Sequence, residues 1–289
     1  MKKTAVFLLA AAACLPASAQ LHVYEGFDYA PGVDNLNGSN GGTGFTSAWL
    51  SNTGSPDISA GTMGYIDSFG RALLTGGNKA FFDAMDPNSI ATATGSVSYR
   101  DINLAGVTAE TLYFSVLGEQ LTGDARATNF AFFAGATEAI SVGHGTNTPA
   151  GGPFTWGAFT GGNGANGGYS TVSVFDPTFL VMRIDLNVGG GVNDRVRLYV
   201  NPSLDAEPAV ADVDFSDRNA VASFSALTRV RPFSGGSNGT YAAAQSNWDE
   251  LRIGGTYGDV TPIPEPASVA MLACAGLLLT RRPRRVATA

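Results

Sequence analysis

Charge is scarce in this chain, and so are cysteine and histidine. Of 289 residues, 14% are Asp, Glu, Lys or Arg, two are Cys and two are His. Two cysteines exclude a disulfide scaffold, and the lone His22 and His144 give no zinc-ligand spacing. Long apolar runs are confined to the two ends, which excludes a multi-span membrane protein. Lys79 is the only lysine between residues 20 and 263, so the clustered phosphate contacts that a nucleic-acid partner needs are absent. Glycine is abundant instead, at 37 residues, but it does not recur at every third position, which excludes a collagen-like fibre.

The first end reads as a secretory signal peptide. Lys2 and Lys3 carry its positive charge, residues 6–15 form its apolar stretch, and Pro16 breaks it. Ala17-Ser18-Ala19 supplies the small residues of a cleavage site, so signal peptidase is expected to cut between Ala19 and Gln20 after the export machinery has engaged the chain. The other end has three parts in fixed order. Pro264-Glu265-Pro266 comes first, then the uncharged run 267–280, then a stop-transfer cluster of Arg281, Arg282, Arg284 and Arg285 around Pro283. A helix over that run covers roughly 21 Å, short for a bilayer. The arginines would stay cytoplasmic. The two prolines keep the motif extended, the form a protease can grip. The whole tail, PEPASVAMLACAGLLLTRRPRR, resembles the PEP-CTERM sorting signal. That resemblance implies an exosortase-like membrane protease as partner, with Pro264, Glu265 and Pro266 as its recognition motif. It also implies transient anchoring in the cytoplasmic membrane and association with exopolysaccharide and biofilm matrix.

Trimmed of 1–19 and 264–289, the body keeps 11 basic and 23 acidic residues, a net charge of −12, and neither cysteine. Residues 20–253 are expected as one β-sandwich domain and 254–263 as a linker to the sorting signal. The apolar pattern alternates instead of repeating every 3.6 residues. Within 179–187, Leu180, Met182, Ile184 and Leu186 share one face, and Arg183 and Asp185 the other. Beyond Gly189-Gly190-Gly191, Val196, Leu198 and Val200 lie opposite Arg195, Arg197 and Tyr199. This predicts a hairpin with one buried and one wet face. Segments 111–120 and 129–134 read as a second pair joined around Gly123-Asp124. Further strands are predicted over 95–102, 168–175, 221–224, 228–233 and 247–253, with a turn or two of helix over 79–85. The fold class is therefore all-β, an antiparallel β-sandwich flanked by a signal peptide and a C-terminal transmembrane sorting helix. YEGFDY at 24–29, the stretch 179–202 and NWDELRIG at 247–254 are similar to the concanavalin A-like, laminin G-like jelly rolls. That likeness implies a closing strand that returns beside the first.

Motifs that carry chemistry are few. Gly162-Asn163-Gly164-Ala165-Asn166-Gly167 matches G-x-G-x-x-G, but an alternating strand follows where a phosphate site needs a helix N-terminus. Ser237 lies in a G-x-S-x-G match, yet both histidines precede it and no helix follows. An E-x-D-x-E strand, which would align two carboxylates for glycoside hydrolysis, is absent. Asp249 and Glu250 are adjacent, so strand alternation sends them to opposite faces. Asp212, Asp214 and Asp217 offer oxygen donors that suit Ca²⁺ but no Ca²⁺-loop pattern, so no cofactor and no metal site are expected, with Ca²⁺ at these residues as the alternative. Phe154, Trp156 and Phe159, set among the glycines of 151–168, are the candidate sugar-stacking residues; Trp49 and Trp248 are expected in the core. No catalytic residue is expected. These readings together predict an exported cell-surface or matrix protein whose body is a non-catalytic module for polysaccharide. The alternative is an extracellular carbohydrate-active enzyme, a glycan hydrolase or lyase.

Overall fold

The computed structural model describes residues 21–53, 56–84, 95–122, 126–145, 154–161, 166–188, 193–218, 221–236 and 242–264. Among them, strands form two antiparallel sheets. The first, of eight strands, runs in the order β13 (Val213–Arg218), β12 (Asp194–Val200), β11 (Thr178–Asp185), β6 (Thr111–Thr122), β15 (Gln245–Gly254), β4 (Lys79–Asp83) and β3 (Asp57–Ser59), with β1 (Leu21–Glu25) also paired to β15. The second, of seven, runs β10 (Asn166–Ser173), β9 (Thr155–Thr160), β8 (Thr137–His144), β7 (Thr128–Ala134), β14 (Leu227–Ser234), β5 (Ser96–Asp101) and β2 (Leu50–Thr53).

The core lies between the sheets. Leu180, Met182, Ile184, Val196 and Leu198 point inward from the β11–β12 hairpin, as their alternation dictates. They meet Phe130, Phe132, Ile140 and Val142 of the second sheet. Trp156 and Trp248 cross edge-to-face with centroids 5.9 Å apart, and Phe130 meets Trp248 at 5.7 Å. Gly118 on β6 is fixed by this pair: a Cβ there would stand 2.7 Å from the Trp248 ring and 3.0 Å from Trp156.

A second apolar layer covers the outer face of the first sheet. Met63 and Leu73 from the segment before β4, Leu204 from the β12–β13 connection, and Tyr257 and Val260 from the short helix α1 (Tyr257–Val260) pack on Tyr113, Leu117, Phe179, Val181 and Tyr199.

Several expectations need correction. Residues 79–83 form strand β4 and not a helical turn, because Ala80 and Phe82 alternate into the core. Strands β6 and β7 do not pair with each other; they lie in different sheets, and β7 pairs with β8 and β14. The strand predicted over 221–224 does not form; residues 221–223 are irregular and Phe224 opens a 3₁₀ turn that runs to Ala226. Residues 254–263 are not a free linker. Thr256 and Asp259 close a capping box on α1, and Ser115 donates to the Val260 carbonyl at 2.8 Å. The closing strand does lie beside the first, with Leu21 paired to Gly254 and Glu25 to Leu251.

Ala19, Gln20, Glu265, Pro266 and the four arginines of the tail lie outside the described residues, and Pro264 is exposed. Among the described residues no helix is long and apolar enough to cross a membrane.

Candidate active site

The register of the first sheet assembles one polar patch on its outer face. Tyr113 of β6, Arg183 of β11 and Arg197 of β12 stand side by side across three neighbouring strands. One rung away, Thr111, Asp185 and Arg195 are aligned in the same way, and Tyr199 lies two residues beyond Arg197 on the same face. These are the wet-face residues of the predicted hairpin, joined by Tyr113 from the adjacent strand.

The connection from β12 to β13 then brings in Glu207. Its carboxylate accepts from the Tyr113 hydroxyl at 2.6 Å and the Tyr199 hydroxyl at 2.5 Å. Arg183 Nη1 donates to it at 3.0 and 3.2 Å, and Arg197 Nη1 stands 3.8 Å away. Asp185 braces both guanidiniums from behind: it accepts from Arg183 Nε at 2.9 Å, from Arg197 Nη2, and from the Thr111 hydroxyl at 2.8 Å. Arg183 also lies over the Tyr113 ring at 5.5 Å.

Burial raises the Glu207 carboxyl pKa, but the hydroxyls of Tyr113 and Tyr199 and the Arg183 charge outweigh it and hold the group below its ordinary value. Asp185 is likewise held low against its burial by Arg183, Arg197 and Thr111. The tyrosines move the other way. Burial, then Glu207, pushes Tyr199 up to about 12 and Tyr113 further above its ordinary value. The patch is thus a carboxylate seat of two neutral hydroxyls and two fixed cations. Arg197 Nε is buried there without a partner. Such a set can neutralise a bound carboxylate and exchange protons beside it.

Two other acidic centres are buried in the fold. Glu25 on β1 is sealed: its carboxylate accepts from the Tyr29 hydroxyl at 2.7 Å, Trp49 Nε1 at 3.0 Å, the Phe27 amide at 2.9 Å and Arg100 Nη1. Asp249 and Glu250 do not point to opposite faces as alternation predicts. A β-bulge between Asp249 and Arg252 adds a residue, and Glu250 adopts φ 56°. Both carboxylates are consequently met by one covering segment. Asp249 accepts from Thr62 and the Met63 amide at 2.7 Å, and Glu250 from the Gly76 amide at 2.6 Å. Burial pushes the Asp249 carboxyl up to about 8.

The predicted sugar platform is not exposed. Trp156 is fully buried against Trp248, and Phe159 is buried with its ring 5.0 Å from that of Tyr169, because both stand on strand β9 rather than on a loop. Phe154 is half-buried and packs against the core. Asp214 is paired to Arg195 at 2.5 Å, and Asp212 accepts from the Val200 amide at 2.8 Å. The side chain of Asp217 is outside the description, as is Ser237. Among the described residues no group of three His, Cys, Asp or Glu side chains could hold a metal ion.

No family model matches the chain, and no curated protein matches it. Similar solved structures include an endo-β-1,4-glucuronan lyase from the fungus Trichoderma reesei, 13% identical, covering 84% of this chain and 98% of that one, with a TM-score of 0.42. An alginate lyase, a mutant of Aly36B in complex with alginate tetrasaccharide, is 12% identical over 81% of this chain and 96% of its own, with a TM-score of 0.42. A GH131 β-glucanase catalytic domain from Podospora anserina is 10% identical over 63% and 74%, with a TM-score of 0.39. The likeness is one of architecture, and the activities named are those proteins' own. The expectation of a non-catalytic body is at odds with these findings, since the solved structures of similar architecture include polysaccharide lyases and a glucanase. The absence of paired glycosidase carboxylates says nothing of a patch built from tyrosine and arginine, which contains no such pair.

Proposed function

We propose that the body is a carbohydrate-active enzyme that cleaves an acidic polysaccharide by β-elimination at the seat formed by Tyr113, Arg183, Arg197 and Tyr199. One observation carries this reading: two tyrosine hydroxyls and a guanidinium converge on a single carboxylate, with a second guanidinium 3.8 Å off.

In a uronate-containing chain, the C5 hydrogen sits next to a carboxylate. Pairing that carboxylate with Arg183 and Arg197 stabilises the negative charge that grows on it as the proton leaves. One tyrosine, neutral at rest, passes its hydroxyl proton to solvent as it takes the C5 proton. The other gives its proton to the glycosidic oxygen as the C4–O bond breaks and a C4=C5 double bond forms. One proton leaves carbon, one reaches oxygen, and no water is consumed.

The terminal sequences support export to where such polymers are met. Their resemblance to PEP-CTERM signals supports C-terminal processing, which the terminal mass of the protein from its host would test. The enzymatic reading is tested by incubating the full chain with polyuronates and neutral glucans and following the ultraviolet absorbance of the new double bond. Product is expected from a polyuronate and not from a glucan, and Tyr199→Phe is expected to lower kcat while leaving KM within about threefold, the pattern of a group acting in the transition state. Absence of unsaturated product from every acidic polymer tried rejects the reading.

A further inference from the structure

The carboxylate in the seat belongs to the protein itself, and the way it is delivered is informative. Glu207 sits at the tip of the connection between β12 and β13. The root of that connection is anchored without it. Tyr65 donates to the Pro202 carbonyl at 2.7 Å, Tyr257 to the Ser203 carbonyl at 2.5 Å, and Thr261 to the Leu204 carbonyl at 3.1 Å. The Leu204 amide donates to Asp67 at 3.0 Å, and Arg71 pairs with Asp205 at 2.8 Å. Beyond this root the chain lifts into solvent. Ala206, Ala209 and Val210 are exposed, Val210 by 82%. Glu207 is the tip residue whose side chain bonds to the sheet. Pro208 after it restricts Glu207 to extended backbone, which presets the reach of its side chain.

The Glu207 side chain retains 21% exposure, and those of Arg183 and Arg197 retain 25% and 18%. The seat is therefore open to exchange at its rim. Its remaining capacity points to a ligand with more acceptors than Glu207 brings, because Arg197 Nε is buried with no partner.

We infer that Glu207 is an intramolecular stand-in for a ligand carboxylate, and that a hexuronate displaces it and frees the 206–210 tip from the sheet. The inference rests on the seat being the active site. It adds that the site is shut by the chain's own acid until an acidic sugar competes for it. A neutral sugar has nothing to exchange for Glu207.

The experiment is limited proteolysis of the full chain with an elastase-type protease, which cuts after Ala209 or Val210, with sodium glucuronate or glucose present. If the seat is open about a tenth of the time unliganded, saturating glucuronate raises cutting at the tip about tenfold. Glucose leaves it unchanged. Glu207→Ala is cut at the raised rate without ligand and binds glucuronate about tenfold more tightly, since the competitor is gone. If that variant does not fold, Glu207→Gln, which keeps the shape and drops the charge, gives the same readouts. A tip that stays protected in glucuronate, together with variants that bind it no more tightly, overturns the inference. The outcomes separate from those for catalysis. Tip opening with no polymer cut removes the enzyme reading and leaves the latch. Polymer cleavage with a shut tip and unchanged variants removes the latch alone.

Discussion

Among the described carboxylates gripped by both tyrosine and arginine, Glu25 and Glu207 differ sharply in setting. Glu25 is taken by Tyr29, Trp49, Arg100 and its own strand's turn, at 1% exposure, and Arg100 is in turn held by the Ser47 and Gly41 carbonyls and covered by the Phe45 ring at 3.8 Å. Glu207 is taken by Tyr113, Tyr199 and Arg183, at 21% exposure, from a connection anchored elsewhere. The donors are alike and the settings differ. Where water is excluded and every neighbour is consumed, the set is a staple that ties the loops around residues 40–49 to both sheets. Where one partner rides on a solvent-facing tip, the same set is a seat whose occupant can change.

The contrast breaks first on stability. Glu25→Ala should cost about 3–5 kcal/mol in urea denaturation, because it leaves Arg100 buried and unpaired. Glu207→Ala should cost less than about 1 kcal/mol, as a rim pair does. Equal losses would erase the distinction. Next in size, Arg183→Ala should lower the rate of unsaturated-product formation by about 100-fold or more, as loss of a donor aimed at developing charge does. Its thermal midpoint should barely move.

Asp249 sharpens the comparison as a buried carboxylate whose donors are a hydroxyl and two backbone amides, with no guanidinium among them. Asp249→Asn should cost about 1–3 kcal/mol at pH 5 by leaving an amide facing an NH₂ group. The sign of its pH dependence follows from the raised pKa. Between the unfolded value and about 8 the native protein binds the extra proton, so stability falls as pH rises through that window. The penalty of the variant should therefore shrink from pH 5 to pH 8 in paired denaturation curves. Glu207 and Asp185 have depressed values, so their contribution is full above the unfolded pKa and lost as pH falls through the folded one. The smallest effect is spectroscopic. Glu207→Gln should move the tyrosinate absorbance of two of the nine tyrosines to lower pH.

Much of this was legible beforehand, and the failures share a cause. The β11–β12 hairpin reads directly from alternation, and so does the polar face of Arg183, Asp185, Arg195 and Arg197. Tyr199 belongs to that face yet is buried, because α1 and Leu204 cover it, which local pattern does not reveal. Tyr113 carries no signal of its own; only the pairing of β6 with β11 brings it beside Arg183. Glu207 sits in a stretch with no periodicity, and its partners come from three strands. The bulge that turns Asp249 and Glu250 to the same cover breaks the period-two rule that the prediction relied on. Trp156 stands among glycines that resemble a loop, whereas Gly157 lies in β9 and Gly167 and Gly168 in its partner β10, where a Cβ would meet a neighbouring backbone or side chain.

Strand β15 is made last and sits in the interior of the first sheet, between β6 on one side and β4 and β1 on the other. During synthesis, β1 has only a single bridge, from Tyr24 to Thr43, until its partner strand follows some 230 residues later, at the stretch from Leu251 to Gly254. That sheet cannot zip from the front; it waits for a late insertion at its middle. Long-range pairing of this kind is slow, so a nascent chain should remain open until almost the whole body has emerged.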